Sequence, residues 1–166
     1  MENLLSYIPL DIALIAENFD RFLYGVWVTL NLTFLSLLLG GLLSIPMAIA
    51  RASKHRVFNP LVQGYTYVFR GTPLLVQTYL IYYGVGQFEV IRESFLWDPI
   101  LSSAWWCALI AFTLNTAAYT TELLRGAIAD TPTGEVEAAI ATGHSYRSRV
   151  RRIILPSAFR RAIPAY

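Results

Sequence analysis

Cysteine is nearly absent from this 166-residue chain. Its one copy, Cys107, lies inside an apolar run, which excludes an internal disulfide or a cysteine-rich metal site within one copy. Histidine is almost as scarce: His55 and His144 are far apart and flank basic loops, so neither a metal site nor a catalytic base is expected. Charge is thin as well, at 14% of residues, and the charged residues fall between apolar runs rather than through them. The formal net charge of +2 says little by itself, and no nucleic-acid partner is expected. No glycine-rich loop followed by Lys-Ser/Thr occurs, so the chain has no phosphate cradle of its own and is not expected to be an enzyme. Met1-Glu2-Asn3 lacks a basic n-region, which argues against a cleaved secretory leader.

What the chain has in excess is apolar surface. Hydrophobic residues make up 55% of it and its mean hydropathy is +0.48, which places it in the membrane class. The first long apolar run is residues 24–50. At about 1.5 Å rise per residue it covers roughly 40 Å, enough to cross a hydrocarbon core of about 30 Å with some tilt. Within it Ser36, Gly40, Ser44 and Ala48 recur every fourth residue, a small-residue stripe that lets a neighbouring helix approach closely in lipid. Pro46 is expected to bend this helix near its far end. A second span, residues 61–86, is interrupted by Arg70-Gly71-Thr72-Pro73. Pro73 removes a backbone donor and biases Thr72 away from helical geometry. The segment therefore reads as an interfacial helix over residues 58–69 and a deeper half over residues 74–85. A third span covers residues 104–124 and carries Asn115 and Glu122.

Orientation follows from the basic residues of the short loops. Arg51, Lys54 and Arg56 follow the first span with no acid among them. The loop at residues 87–101 holds Glu89, Glu93 and Asp98 against Arg92. Six arginines, Arg147, Arg149, Arg151, Arg152, Arg160 and Arg161, follow the third span. The positive-inside rule places the first loop and the last segment in the cytoplasm, and the stretch carrying Glu2, Asp11, Glu17 and Asp20 outside. The resulting division is an outer segment at residues 1–21, a transmembrane region at 22–125 and a cytoplasmic segment at 126–166.

Residues 130–156 read as two short helices and a turn. Thr131 is placed to cap the first, Pro132 suits its first position, and Glu135 and Glu137 favour the positive N-terminal end. Ala138, Ala139 and Ala141 give a small-residue surface, edged by Val136 and Ile140. Gly143 stands where a chain reversal needs positive φ. Ser145 is placed to cap the second helix, which carries Val150, Ile153 and Ile154 against a face of arginines and is expected to end at Leu155-Pro156. Basic juxtamembrane helices often lie on anionic headgroups. The acidic, alanine-rich first helix would gain nothing there and suits a groove on another protein better.

The spacing Glu137-Ala138-Ala139, three residues, Gly143, nine residues, Ile153, one residue, Leu155-Pro156 resembles the E-A-A loop of permease subunits in bacterial ABC importers. The stretches Phe69-Arg70-Gly71-Thr72-Pro73-Leu74-Leu75-Val76-Gln77 and Leu114-Asn115-Thr116-Ala117-Ala118-Tyr119-Thr120-Thr121-Glu122 resemble the polar amino-acid branch of that family, and its histidine/arginine-type permeases most closely. The resemblance implies an all-α membrane protein of the type I ABC importer permease fold. It implies an inner-membrane location and a partner ABC ATPase that binds ATP and Mg, no cofactor being held by this chain. It also implies a second permease subunit, identical or homologous, and a periplasmic solute-binding protein. Glu137, Ala138, Ala139, Gly143, Ile153, Leu155 and Pro156 become ATPase-coupling residues, with Glu137 pairing with a basic group of the ATPase. Family members carry five spans, two of them after this loop. Ending at Pro164-Ala165-Tyr166, the sequence reads as the first three of five, a fragment or truncated reading frame that stops at the start of a fourth.

Polar residues inside spans are costly and stand as functional candidates. Asn115, Glu122 and Gln77 are therefore substrate-path candidates, with Tyr79, Tyr82 and Tyr83 beside them. An ion pair with Arg125, three residues on, is the plain alternative for Glu122, and an interfacial aromatic belt for the tyrosines. An intramembrane carboxylate would suit a cationic amino acid. The expected function is uptake of polar, basic amino acids. A secondary transporter driven by an ion gradient also uses broken helices, and it and a non-transporting scaffold subunit are the rivals.

Overall fold

The computed structural model describes residues 18–53 and 56–165, all helix, turn and connecting loop. The acidic positions Glu2, Asp11 and Glu17, and Lys54 and His55 of the basic loop, lie outside the described residues. The chain divides into two compact units, Met1–Phe34 and Leu35–Tyr166.

Helix α1, Phe19–Ala52, begins five residues before the apolar run and is assigned helical throughout, Pro46 included. Among the described residues it alone is long and apolar enough to cross a membrane by length and composition. In the first unit its Phe22, Tyr24, Trp27, Leu30 and Phe34 are exposed. Such an apolar exterior is a liability in water and the ordinary state of a helix in lipid. Thr29 and Asn31 in this half donate back to their own helix, to the Gly25 carbonyl at 2.9 Å and the Trp27 carbonyl at 3.1 Å.

In the second unit the buried residues of α1 are Ser36, Gly40, Ser44 and Ala48, the small-residue stripe seen in the sequence. The reason for its size is direct. A Cβ on Gly40 would stand 2.8 Å from Cβ and Cγ2 of Thr116 and 3.0 Å from the Thr113 carbonyl. Lower down, Ala48 joins Leu124, Ala127, Ala158 and Ala162 in a core flanked by Ile45, Leu123 and Ile128. Alanine dominates this core because contact between helices in lipid rests on close packing rather than on expulsion of water.

The second apolar segment is broken as its proline requires. Helix α2, Phe58–Gly71, and helix α3, Leu74–Tyr79, are separated by Thr72 and Pro73, both in extended geometry. A π-helical turn, Leu80–Gly84, and a 3-10 turn, Val85–Gln87, follow. Short helix α4, Glu89–Arg92, and a π-helical turn, Trp97–Leu101, lead into α5, Ala104–Ala129, which packs against α2 and α3.

After α5 come α6, Thr133–Ala141, and α7, Tyr146–Arg149, joined through Gly143 at φ +77°. Two expectations are corrected here. Thr131 does not cap α6: Pro132 is the N-cap and has no side chain able to bond. Nor does Leu155-Pro156 end the second helix. A π-helical turn, Val150–Ile154, passes directly into α8, Leu155–Ala162. A proline inside a regular helix clashes with the carbonyl four residues back. The wider turn moves the ladder out of that register, since Leu155 N–H donates to the Val150 carbonyl five residues earlier. Pro156 then sits in the first turn of α8, where its missing donor costs nothing. Ser145 does cap α7, accepting from Ser148 N–H at 3.4 Å.

Candidate functional site

The break at Pro73 leaves backbone carbonyls without helical donors, and Gln77 meets them. Its Nε2 donates to the Phe69 carbonyl at 2.7 Å, to Thr72 Oγ1 at 2.7 Å and to the Thr72 carbonyl at 3.1 Å. Gln77 is only 6% exposed. Its Oε1 accepts from Asn115 Nδ2 at 3.1 Å, and the same nitrogen reaches the Phe69 carbonyl at 3.4 Å. Two of the three substrate-path candidates thus meet, as a staple holding the broken segment against α5. The tyrosines form a separate cluster, with Tyr79 and Tyr83 stacked at 5.5 Å and Tyr82 edge-on to Tyr83 at 4.7 Å.

Glu122, the third candidate, joins three helices. Arg51 Nε, from the end of α1, donates to Oε1 at 3.0 Å, Thr66 Oγ1 of α2 donates to the same oxygen at 3.1 Å, and Arg125 Nε donates to Oε2 at 2.6 Å. The local pair with Arg125 is present, and a long-range one stands beside it. Arg51 is itself held by Asn59, whose Oδ1 accepts from Nη1 at 2.6 Å. Asn59 Nδ2 donates to the Arg51 and Ser53 carbonyls at 2.9 Å each, closing the C-terminal end of α1. Sequence reasoning missed Arg51, Asn59 and Thr66 as members of this network. Asn59-Pro60, just after the basic loop, was the available signal of a helix start, and both residues lie in the first turn of α2.

Asn115 and Glu122 line one side of a cavity of about 600 Å³ along α5, together with Arg70, Thr116, Tyr119 and Arg125. Arg70 stacks over the Tyr119 ring at 5.4 Å from its centroid, and the Tyr119 hydroxyl donates to the Arg70 carbonyl at 3.4 Å. Gln77 lies behind this wall rather than on it. Glu122 thus already accepts from three donors, two of them arginines.

The coupling candidates are also brought together. Ala139 is buried while Glu137, Ala138 and Ile140 face outward. Glu137 makes no hydrogen bond or ion pair with the described residues. Ala138, Ala139, Ile153 and Pro156 share a groove of about 470 Å³ with Arg152 and Arg160, and Leu155 opens α8 beside them. His144 at the turn accepts or donates through Nδ1 to the Thr142 hydroxyl at 3.0 Å. Arg161 ties the segment back to α5: Nη2 donates to the Ala127 carbonyl at 3.0 Å and to Thr131 Oγ1 at 2.9 Å. Its Nη1 donates to Ser157 Oγ at 2.7 Å, and that hydroxyl donates to Glu135 Oε2 at 3.1 Å. Thr131 therefore serves Arg161 instead of α6, a role its capping signature masks.

An all-helical chain with an apolar exterior, a proline-broken segment and a polar cavity defines the class: a membrane-embedded transport component. The chain belongs to the family of binding-protein-dependent transport system inner membrane components, which it matches over residues 40–166. It is 49% identical over 158 residues to a nopaline transport system permease protein of Agrobacterium fabrum, covering 95% of this chain and 65% of the relative. It is 43% identical to an octopine transport system permease protein of Rhizobium radiobacter, over 95% of this chain and 64% of that one. A histidine/lysine/arginine/ornithine transport system permease protein of Salmonella typhimurium is 44% identical over 86% of this chain and 60% of the relative. The chain thus spans less than two thirds of the length of these relatives. The crystal structure of an amino acid ABC transporter with histidines superposes with a TM-score of 0.78 at 30% identity, covering 95% of this chain and 69% of that one.

Proposed function

We propose that the chain is the permease subunit of an ATP-driven importer for polar, basic amino acids and their opine conjugates. The observation that carries this reading is the family match over residues 40–166, which takes in the polar residues of the cavity and the groove lined by Ala138, Ala139, Ile153 and Pro156. The names of the nopaline, octopine and histidine/lysine/arginine/ornithine relatives support the cargo class.

In this reading three crossings are made by α1, by the broken segment α2–α3 and by α5, with the loop after α1 and the segment after α5 in the cytoplasm. The hairpin of α6 and α7 docks in a cleft of a partner ABC ATPase, which holds ATP and Mg. Glu137 meets a basic group there, while Ala138 allows close approach. Movement of α6 then reaches α5 through two contacts, Glu135 with Ser157 and Arg161 with Ala127 and Thr131. A second permease subunit completes the path, and a periplasmic solute-binding protein delivers the cargo.

Reconstitution into proteoliposomes with the ATPase and the binding protein tests this. Uptake of radiolabelled arginine or histidine is expected only with ATP on the ATPase side. Uptake driven by an ion gradient without ATP would overturn the reading, as would a complex that binds no ATPase.

A further inference from the structure

The cavity along α5 is lined by three charged residues, and the structure separates them. Glu122 is shared by two arginines, Arg125 on Oε2 and Arg51 on Oε1, with Thr66 donating to the latter oxygen as well. Arg70 is different. Its guanidinium donates to no acceptor and pairs with no carboxylate among the described residues; the Tyr119 ring at 5.4 Å is its support. It also closes α2 beside the Pro73 break, in the body of the second crossing. An unpaired cation within a membrane segment is costly and is found facing water-filled cavities or counter-ions. The planar fork of an arginine matches a carboxylate at two points, and an aromatic face holds such a fork without using its N–H donors.

We propose that Arg70 is the carboxylate-recognising residue of the cavity, so that the transported solute is held there by its carboxylate rather than by a cationic side chain against Glu122. This rests on the importer reading above. Asn115 complements it. The Asn115 amide nitrogen is engaged with Gln77 and Phe69, while its side-chain oxygen receives no donor among the described residues and is available to an α-ammonium group. These two groups are common to every α-amino acid, so a cavity that reads them accommodates side chains of different shape. Opines carry an additional carboxylate and satisfy the same requirement.

The test is displacement of tritiated L-arginine from the permease–ATPase complex without its binding protein, so that selectivity of the delivering protein does not enter. The competitors are L-arginine and agmatine, which keeps the guanidinium and lacks the carboxylate. Agmatine is expected to compete about tenfold or more weakly than arginine in the unsubstituted complex. Arg70→Gln should lose that preference, and Arg70→Lys, which keeps charge without the fork, should retain part of it. Gel filtration of Arg70→Lys and Arg70→Gln establishes that both complexes are assembled. Equal competition by arginine and agmatine in the unsubstituted complex would overturn the assignment, as would an Arg70→Gln complex that keeps the preference. The importer reading fails separately, by absence of ATP-driven uptake in the unsubstituted transporter, and takes this inference with it.

Discussion

Arg51 and Glu122 stand 71 positions apart in the chain and meet at 3.0 Å, with side chains 18% and 13% exposed. The contact fastens the end of α1 to α5, and Thr66 adds α2 to the same carboxylate. A largely buried pair of this kind adds little net stability when intact, but breaking it leaves an uncompensated charge. Glu122→Ala, which leaves Arg51 and Arg125 without their acceptor, should destabilise the fold by about 3–5 kcal/mol. Glu122→Gln, which still offers an oxygen to Thr66 or an arginine, should cost less. Thermal unfolding of the detergent-solubilised protein checks the order, and equal midpoints for the two variants would count against it.

Close approach of α1 and α5 depends on one missing side chain. Gly40→Ala places a methyl 2.8 Å from Thr116 Cβ, and overpacking of this kind costs about 1–3 kcal/mol. The neighbouring Gly41 has open space around its Cβ position, so Gly41→Ala should be neutral or slightly stabilising through its better helix propensity. Comparing the two thermal midpoints isolates packing from propensity.

The staple at the helix break gives a third expectation. Gln77→Leu preserves bulk but removes the Nε2 donor shared by the Phe69 carbonyl and both oxygens of Thr72. Leaving buried acceptors unmet costs about 1–3 kcal/mol. The loss should appear as faster amide exchange through residues 69–79 by hydrogen-exchange mass spectrometry, while α1 stays protected.

Local rules made part of this structure legible in the sequence. The stripe Ser36, Gly40, Ser44, Ala48, the break before Pro73, the cap at Ser145 and the reversal at Gly143 each depend on neighbours within a few residues, and each appears as expected. What escaped depends on distance or on a compensating defect. The pairing of Glu122 with Arg51 requires the relative rotation of two helices, so sequence spacing offered only Arg125. Pro156 is a helix terminator by rule, and it runs through because the π-helical turn Val150–Ile154 shifts the carbonyl register beneath it. Thr131 has the chemistry of a cap but is engaged by Arg161, thirty positions away. Arg70 stood unremarked inside a motif noticed for its proline, and its stacking on Tyr119 needs α2 and α5 side by side.

At the turn between α6 and α7, Gly143 holds φ +77°, which costs a residue with a side chain about 1–2 kcal/mol. Gly143→Val should misplace the hairpin and, in the assembled transporter, lower arginine uptake per ATP hydrolysed. Gly143→Asn should be milder, because asparagine tolerates this region better than other side chains. Transport-coupled ATPase assays on both variants check the ranking, and full coupling in Gly143→Val would remove the turn from the mechanism.

Arg161 supplies the most specific expectation about force transmission. Its two terminal nitrogens bridge Ala127 and Thr131, at the end of α5, to Ser157 in α8, and Ser157 continues the chain to Glu135 in α6. Arg161→Ala removes all three bonds and opens a path for α6 to move without α5 following. Hydrogen bonds to charged groups are worth about 1.5–3 kcal/mol each in context, so part of the effect will be a general loss of stability. A structural role alone would lower the thermal midpoint and leave the uptake-to-hydrolysis ratio of the surviving complexes intact. A transmitting role lowers that ratio as well. Arg161→Lys can restore one contact but not the bridge, so it should recover more of the midpoint than of the ratio. Recovery of both in equal measure would make Arg161 a brace for the fold and nothing more.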